Sequence, residues 1–123
     1  MWVFLNDAFV SVVKDTQKKD GLMIRARLAT DLQNAFGIDV EIIETTHTDY
    51  RFRTFMDKNT FKEFMSNRID GIEYTNFKNS IDKNDTIRKD AYMGVWAEMD
   101  DLQERYYPRK RDDSWIKELY KMK

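Results

Sequence analysis

Along the first half of this chain apolar and polar residues alternate with period two, and along the second half apolar residues recur every three or four positions. Strand side chains alternate faces, whereas helical neighbours lie three and four apart, so the pattern predicts strands first and helices afterwards. Residues 2–5 and 9–13 are β-rich and flank the turn pair Asn6 and Asp7, which predicts a strand pair or one bent strand. A polar turn, TQKKDG, precedes a strand over 22–28, where Leu22, Ile24, Ala26 and Leu28 form a core face and Met23, Arg25 and Arg27 the opposite, cationic one. Thr30 with Gln33 is a capping-box pattern, Leu32, Ala35 and Phe36 make an apolar stripe, and Gly37 ends this short helix. Further strands are predicted over 38–43 and 50–56, separated by a polar loop that carries His47.

Thr60 with Glu63 repeats the capping box, and Phe61, Phe64, Met65, Arg68 and Ile69 follow at helical spacing. The segment IEYTNFKNSIDKND has no sustained period and predicts irregular chain or a short helical turn. From Thr86 the longest helix is expected, with Ile87, Ala91, Val95, Met99 and Leu102 on one stripe and Tyr92 and Trp96 beside it. Tyr106, Tyr107 and the single proline, Pro108, break it, and Asp112 or Asp113 caps a last helix bearing Trp115, Ile116, Leu119 and Tyr120. The expectation is one α+β domain over residues 1–123, mainly strands with one short helix over 1–57 and mainly helical over 58–123. Its sheet should be mostly antiparallel, with helices packed on one side. Aromatic residues make up 14% of the chain, more than a single small core absorbs, which places the C-terminal helices at an oligomer interface or back on their own core.

Composition narrows the function. Lys and Arg total 21 against 22 Asp and Glu, and a net charge of −1 argues against affinity for long nucleic acid. Cysteine is absent, which removes disulfides, thiolate metal sites and a cysteine nucleophile. The apolar runs are too short to cross a bilayer and the start MWVFLND lacks a signal-peptide pattern, so a cytoplasmic protein without membrane contact is expected.

Candidate chemistry begins with two R-x-R pairs, Arg25 with Arg27 and Arg51 with Arg53. Each pair projects from one strand face, and in a shared sheet four guanidiniums converge on one patch that suits phosphate. A single surface arginine usually pairs with a carboxylate, worth roughly 0 to 1 kcal/mol, but four like charges on one face repel unless an anion compensates them. The segment Tyr74 to Asn79 holds the parts of a nucleotide loop, an aromatic face, amides and Lys78, although Tyr74 and Phe77 would equally anchor a loop in the core. The run RYYPRKR mixes cations with aromatics and alone reads as a solvated hinge. His47, the one histidine, stands in a polar loop as a surface residue rather than a general base, and Asp100–Asp101 and Asp112–Asp113 are explained by solvation and helix-dipole compensation. The four glycines are scattered and form no phosphate loop. Binding without turnover, with no catalytic residue, metal or cofactor, is the expectation.

The blocks MWVFLNDAFVSVV, RAR, DYRFR, IEYTNFKNSI and DAYMGVWAEMDDLQ together resemble the phage anti-Thoeris sponge proteins of the first Thoeris anti-defence type, over residues 1–103. The resemblance implies a phage or prophage protein, acting in the cytoplasm of the infected host, that sequesters a cyclic ADP-ribose isomer made by a TIR-domain immune enzyme and does not cleave it. It implies homodimers or higher oligomers of dimers, with signal pockets near the subunit interface and, in some members, cyclic di- or trinucleotides at separate sites. Carried onto this chain, it puts Phe77 against the adenine, Asn76 and Asn79 near polar edges of the ligand, and Arg109 as a phosphate clamp from a mobile element or a neighbouring subunit. Arg25 and Arg27 serve the same pocket or a second anion site. Two other functions fit the residues: a small interaction module that blocks a host protein through Trp115 and Tyr120, and a nucleotide-processing enzyme using the acidic pairs with a metal.

Overall fold

The structure, a computed structural model, describes residues 1–109, 118, 119 and 121. The chain forms two compact units, Met1–Lys89 and Asp90–Lys123. The first is built on a five-stranded sheet of β1 (Trp2–Leu5), β2 (Ala8–Lys14), β3 (Gly21–Ala26), β4 (Ile43–Glu44) and β5 (Phe52–Asp57), in the order β1-β2-β3-β5-β4. Every neighbouring pair is antiparallel, so the fold is the α+β class that the alternation predicts. Asn6 and Asp7 close the first hairpin, which settles the strand-pair alternative.

Period-two alternation gives the sheet two unlike faces. On one, Val12, Ile24 and Thr54 stand in register across β2, β3 and β5. They are buried with Ala8, Val10 and Ala26 against Leu32, Ala35 and Phe36 of α1 (Ala29–Phe36) and Phe61 of α2 (Lys58–Asp70). On the other, one row crosses all five strands: Trp2, Ser11, Arg25, Arg53 and Ile43. The core and cationic faces read from the sequence are therefore the two sides of this sheet.

Several boundaries move. The strand expected over 22–28 stops at Ala26, and Leu28, assigned to its core face, is the exposed N-cap residue of α1 with extended backbone. Helix α1 starts before Thr30, so the expected capping box does not form; Gly37 does end it, at φ +98°, where a side chain would be strained. Instead of a strand over 38–43 the chain turns, with Val40 N–H donating to Gly37 O at 3.2 Å, and only Ile43 and Glu44 pair with β5. Val40 and Ile42 still pack on the core, from irregular chain. The cap of α2 is Asp57, whose carboxylate accepts from Thr60 N–H at 2.8 Å, one turn earlier than the Thr60–Glu63 box predicts. That backbone hydrogen bond holds the Asp57 carboxyl below its ordinary pKa. Ile69, placed on the apolar stripe of α2, is exposed.

The middle segment makes one short turn of helix, α3 (Phe77–Ser80). Helix α4 (Thr86–Tyr106) is the longest and ends where Tyr106, Tyr107 and Pro108 follow. Its first turn lies within the first unit, where the Arg88 guanidinium meets the buried Asp31 carboxylate and Asp85. Asp31 also accepts from Phe9 N–H at 2.9 Å, so α1, β2 and the start of α4 share one carboxylate. In the second unit Trp96, Met99, Leu102 and Tyr106 are exposed. Of the expected last helix, Glu118, Leu119 and Lys121 are described and helical, with Leu119 exposed, while Trp115, Ile116 and Tyr120 and the capping Asp112 or Asp113 lie outside the described residues.

Candidate anion site on the sheet face

Arg25 and Arg53 are opposite residues of β3 and β5. The strands run in opposite directions, so it is register that sets the two guanidiniums side by side on the face away from α1 and α2. Arg25 donates to Ser11 Oγ of β2 at 2.8 Å, and Arg53 donates to Thr48 Oγ1 at 3.0 Å and to the Tyr50 carbonyl at 3.3 Å. Arg27 follows β3 and donates to the Asp49 carbonyl at 2.9 Å. The segment from Thr45 to Arg51 thus lies against the arginines, with Tyr50 at its centre. Tyr50 is 4% exposed, and its ring centroid is 4.7 Å from Arg25 Cζ and 4.4 Å from Arg27 Cζ.

Three of the four arginines therefore gather around one tyrosine, and the fourth turns away. Arg51 pairs with Glu44 at 2.7 Å and lies over the Phe52 ring at 5.9 Å. No ion pair among the described residues involves Arg25, Arg27 or Arg53. Their partners are hydroxyls, carbonyls, one thioether and a ring, none of which neutralises a charge. The Nε atoms of Arg25 and Arg53 are buried and have no hydrogen-bond partner among the described residues. Three like charges gathered without a carboxylate are costly to maintain, and an anion with several acceptor oxygens is the group that compensates them through their outer N–H donors.

The remaining candidates stand elsewhere. Asn76 caps α3, its Oδ1 accepting from Asn79 N–H at 3.1 Å, so that oxygen is engaged in the turn. Phe77 is half-buried and meets Tyr74 edge-on at 5.8 Å between centroids. Among the described residues no hydrogen bond joins Asn76 or Asn79 to Arg25, Arg27 or Arg53. Arg109 belongs to the second unit, where it holds both oxygens of Asp100, at 3.0 and 3.1 Å, and pairs with Glu104. The hydrogen bonds that Arg109 donates to the Glu104 carboxylate lower the pKa of Glu104 and raise that of Arg109. Of the acidic pairs, Asp100 and Asp101 are thus taken up by Arg109 and Arg105, and Asp112 and Asp113 lie outside the described residues.

His47 is exposed in the loop beside Thr48. Among the described residues no group of three or more histidine, aspartate or glutamate side chains is placed to hold a metal, and no helix is long and apolar enough to cross a membrane. A cleft of about 540 Å³ lies between β1 and α2, lined by Phe4, Leu5, Met65, Arg68, Ile72 and Tyr74. Arg68 at its edge is already matched by Asp7 at 2.6 Å, so the cleft offers an apolar wall rather than an unmatched cation.

Ser11, Thr48 and Tyr50 complete the arginine site and were not singled out by the sequence. The available signal was an aromatic residue directly before an R-x-R pair; Ser11 needed the register of β2 on β3. Comparison with models of known families, with curated proteins and with solved structures finds no match to this chain.

Proposed function

We propose that the protein binds and sequesters a phosphate-bearing cyclic nucleotide of the cyclic ADP-ribose class without cleaving it. The observation that carries this is the gathering of Arg25, Arg27 and Arg53 around Tyr50 with no carboxylate partner among the described residues. A diphosphate supplies the missing charge and the acceptors for several N–H donors at once. The resemblance of the sequence blocks to the anti-Thoeris sponges favours a cyclic ADP-ribose isomer over other diphosphates, and with it a phage protein in the cytoplasm of an infected host that blocks TIR-dependent defence. On this account Phe77 stacks on the adenine, Asn79 and the free amide edge of Asn76 read polar groups, and Arg109 exchanges its carboxylates for phosphate. The exposed Trp96, Met99 and Leu102 support a homodimer or an oligomer of dimers. A sponge that works at tens of nanomolar needs about −10 kcal/mol, within reach of two charge-assisted phosphate contacts and an enclosed stack.

The test is to load the purified protein with cyclic ADP-ribose isomers, remove unbound ligand, denature by heat and chromatograph what is released. Intact ligand in stoichiometric amount is expected. A converted product would make the protein an enzyme, and no retained ligand would favour the protein-blocking module. Phe77→Ala should release most of the ligand while the circular dichroism spectrum stays unchanged; full retention would remove Phe77 from the pocket.

A further inference from the structure

We propose that Tyr50 is the positioning residue of the arginine site, its ring and its carbonyl together holding Arg25, Arg27 and Arg53 in the converged arrangement that receives an anion. This rests on the proposal that the three arginines bind phosphate and says what keeps them together before the ligand arrives. Three like charges on long side chains repel, and each gains rotamer freedom by swinging into solvent. Something must hold them.

A carboxylate would do so at the expense of the site, because it neutralises the charge and competes with the ligand for the same donors. An aromatic face attracts a guanidinium through its quadrupole and leaves the positive charge in place. Tyr50 offers that face to Arg25 and Arg27, at 4.7 and 4.4 Å, while its backbone carbonyl accepts from Arg53 at 3.3 Å. All three cations are thereby referred to one residue.

Tyr50 is in turn held from several sides. Its N–H donates to Asp49 Oδ1 at 2.9 Å, and its carbonyl also accepts from Thr48 Oγ1 at 2.7 Å. Thr45 and Thr48 join their hydroxyls at 2.6 Å, and Thr45 N–H donates to Arg51 O at 2.7 Å, which ties the loop to the start of β5. With the ring 4% exposed, Tyr50 cannot itself stack on a ligand base, so its role is to act through the arginines.

Two readouts test this. Tyr50→Phe keeps the aromatic face and Tyr50→Leu removes it; Tyr50→Met, which fills the volume with a flexible chain, replaces the leucine variant if that one does not fold. The first readout is the guanidinium Nε–H NMR spectrum of the unliganded protein at mildly acidic pH. Ring-shifted signals from Arg25 and Arg27 are expected in the wild type and in Tyr50→Phe, and their collapse to solvent-exposed positions in Tyr50→Leu or Tyr50→Met.

The second is calorimetric titration with inorganic pyrophosphate. Affinity should stay within about twofold of wild type in Tyr50→Phe and fall about tenfold in the leucine or methionine variant, the scale of two partly desolvated cation–π contacts. Wild-type affinity in the leucine or methionine variant overturns the positioning role. If the wild type does not bind pyrophosphate at all, the phosphate reading fails and the spectra alone decide: collapsed signals keep Tyr50 as the organiser, and unchanged signals overturn it.

Discussion

The described arginines fall into two kinds, distinguished by what stands opposite each guanidinium. Arg88 has the buried carboxylate of Asp31, which also serves Phe9 N–H. Removing that acid leaves a cation without its main partner in a nearly dry site, so Asp31→Asn should cost about 3–5 kcal/mol in urea unfolding. Arg25, Arg27 and Arg53 have no such partner among the described residues, and the opposite sign follows. Arg53→Met relieves repulsion and removes an unmatched buried Nε, so the unliganded variant should melt no lower than wild type. The same variant should lose the rise in melting temperature that pyrophosphate gives the wild type, because a ligand stabilises only in proportion to its binding. A large drop in the unliganded melting point would mean that Arg53 is a structural residue. The arginine pairs themselves were legible as R-x-R on strand-like segments. That Arg51 leaves the group for Glu44 was not, since Glu44 lies in a two-residue strand with no periodicity to announce it.

At the scale of elements, the period-two alternation of β1, β2, β3 and β5 reported the sheet because one face is buried and a slip by one residue would invert it. Signals failed where a single local cue competed with its surroundings. Two capping boxes were read one or more residues late, since Leu28 and Asp57, not Thr30 and Thr60, hold the extended backbone before α1 and α2. The apolar residues 38–43 suggested a strand, but Gly37 at φ +98° sends the chain into a turn that still delivers Val40 and Ile42 to the core. This glycine gives an element-scale prediction. A Cβ added at Gly37 would touch nothing within 4 Å, so any loss in Gly37→Ala comes from backbone strain alone, on the order of 1–3 kcal/mol. Denaturant unfolding of that variant, with an unchanged native spectrum, checks it; wild-type stability would show that the turn adapts.

For the whole molecule, a net charge of −1 coexists with a local group of three guanidiniums that have no carboxylate partner among the described residues. A balanced surface with one concentrated cationic site suits a small polyanion better than an extended one. The α+β class, the two unlike sheet faces and the long helix α4 followed from pattern. The second unit did not, because the stripe expected to bury Met99 and Leu102 leaves both exposed. Periodicity marks an apolar stripe without saying what covers it. The sequence likewise could not bring Asn76, Phe77 and Asn79 or Arg109 to the arginines. The three belong to the turn around α3, and Arg109 belongs to the second unit.

The central claim is that Arg25, Arg27 and Arg53 form a site for a phosphate-bearing nucleotide. Its most direct test is isothermal titration of wild type and of an Arg25→Gln, Arg53→Gln double variant with cyclic ADP-ribose isomers, at low and at high salt. The account predicts tight binding by the wild type that weakens as salt rises, and a loss of about a hundredfold or more in the double variant, matching two charge-assisted contacts. Equal affinity in both proteins, or none in either, would contradict it.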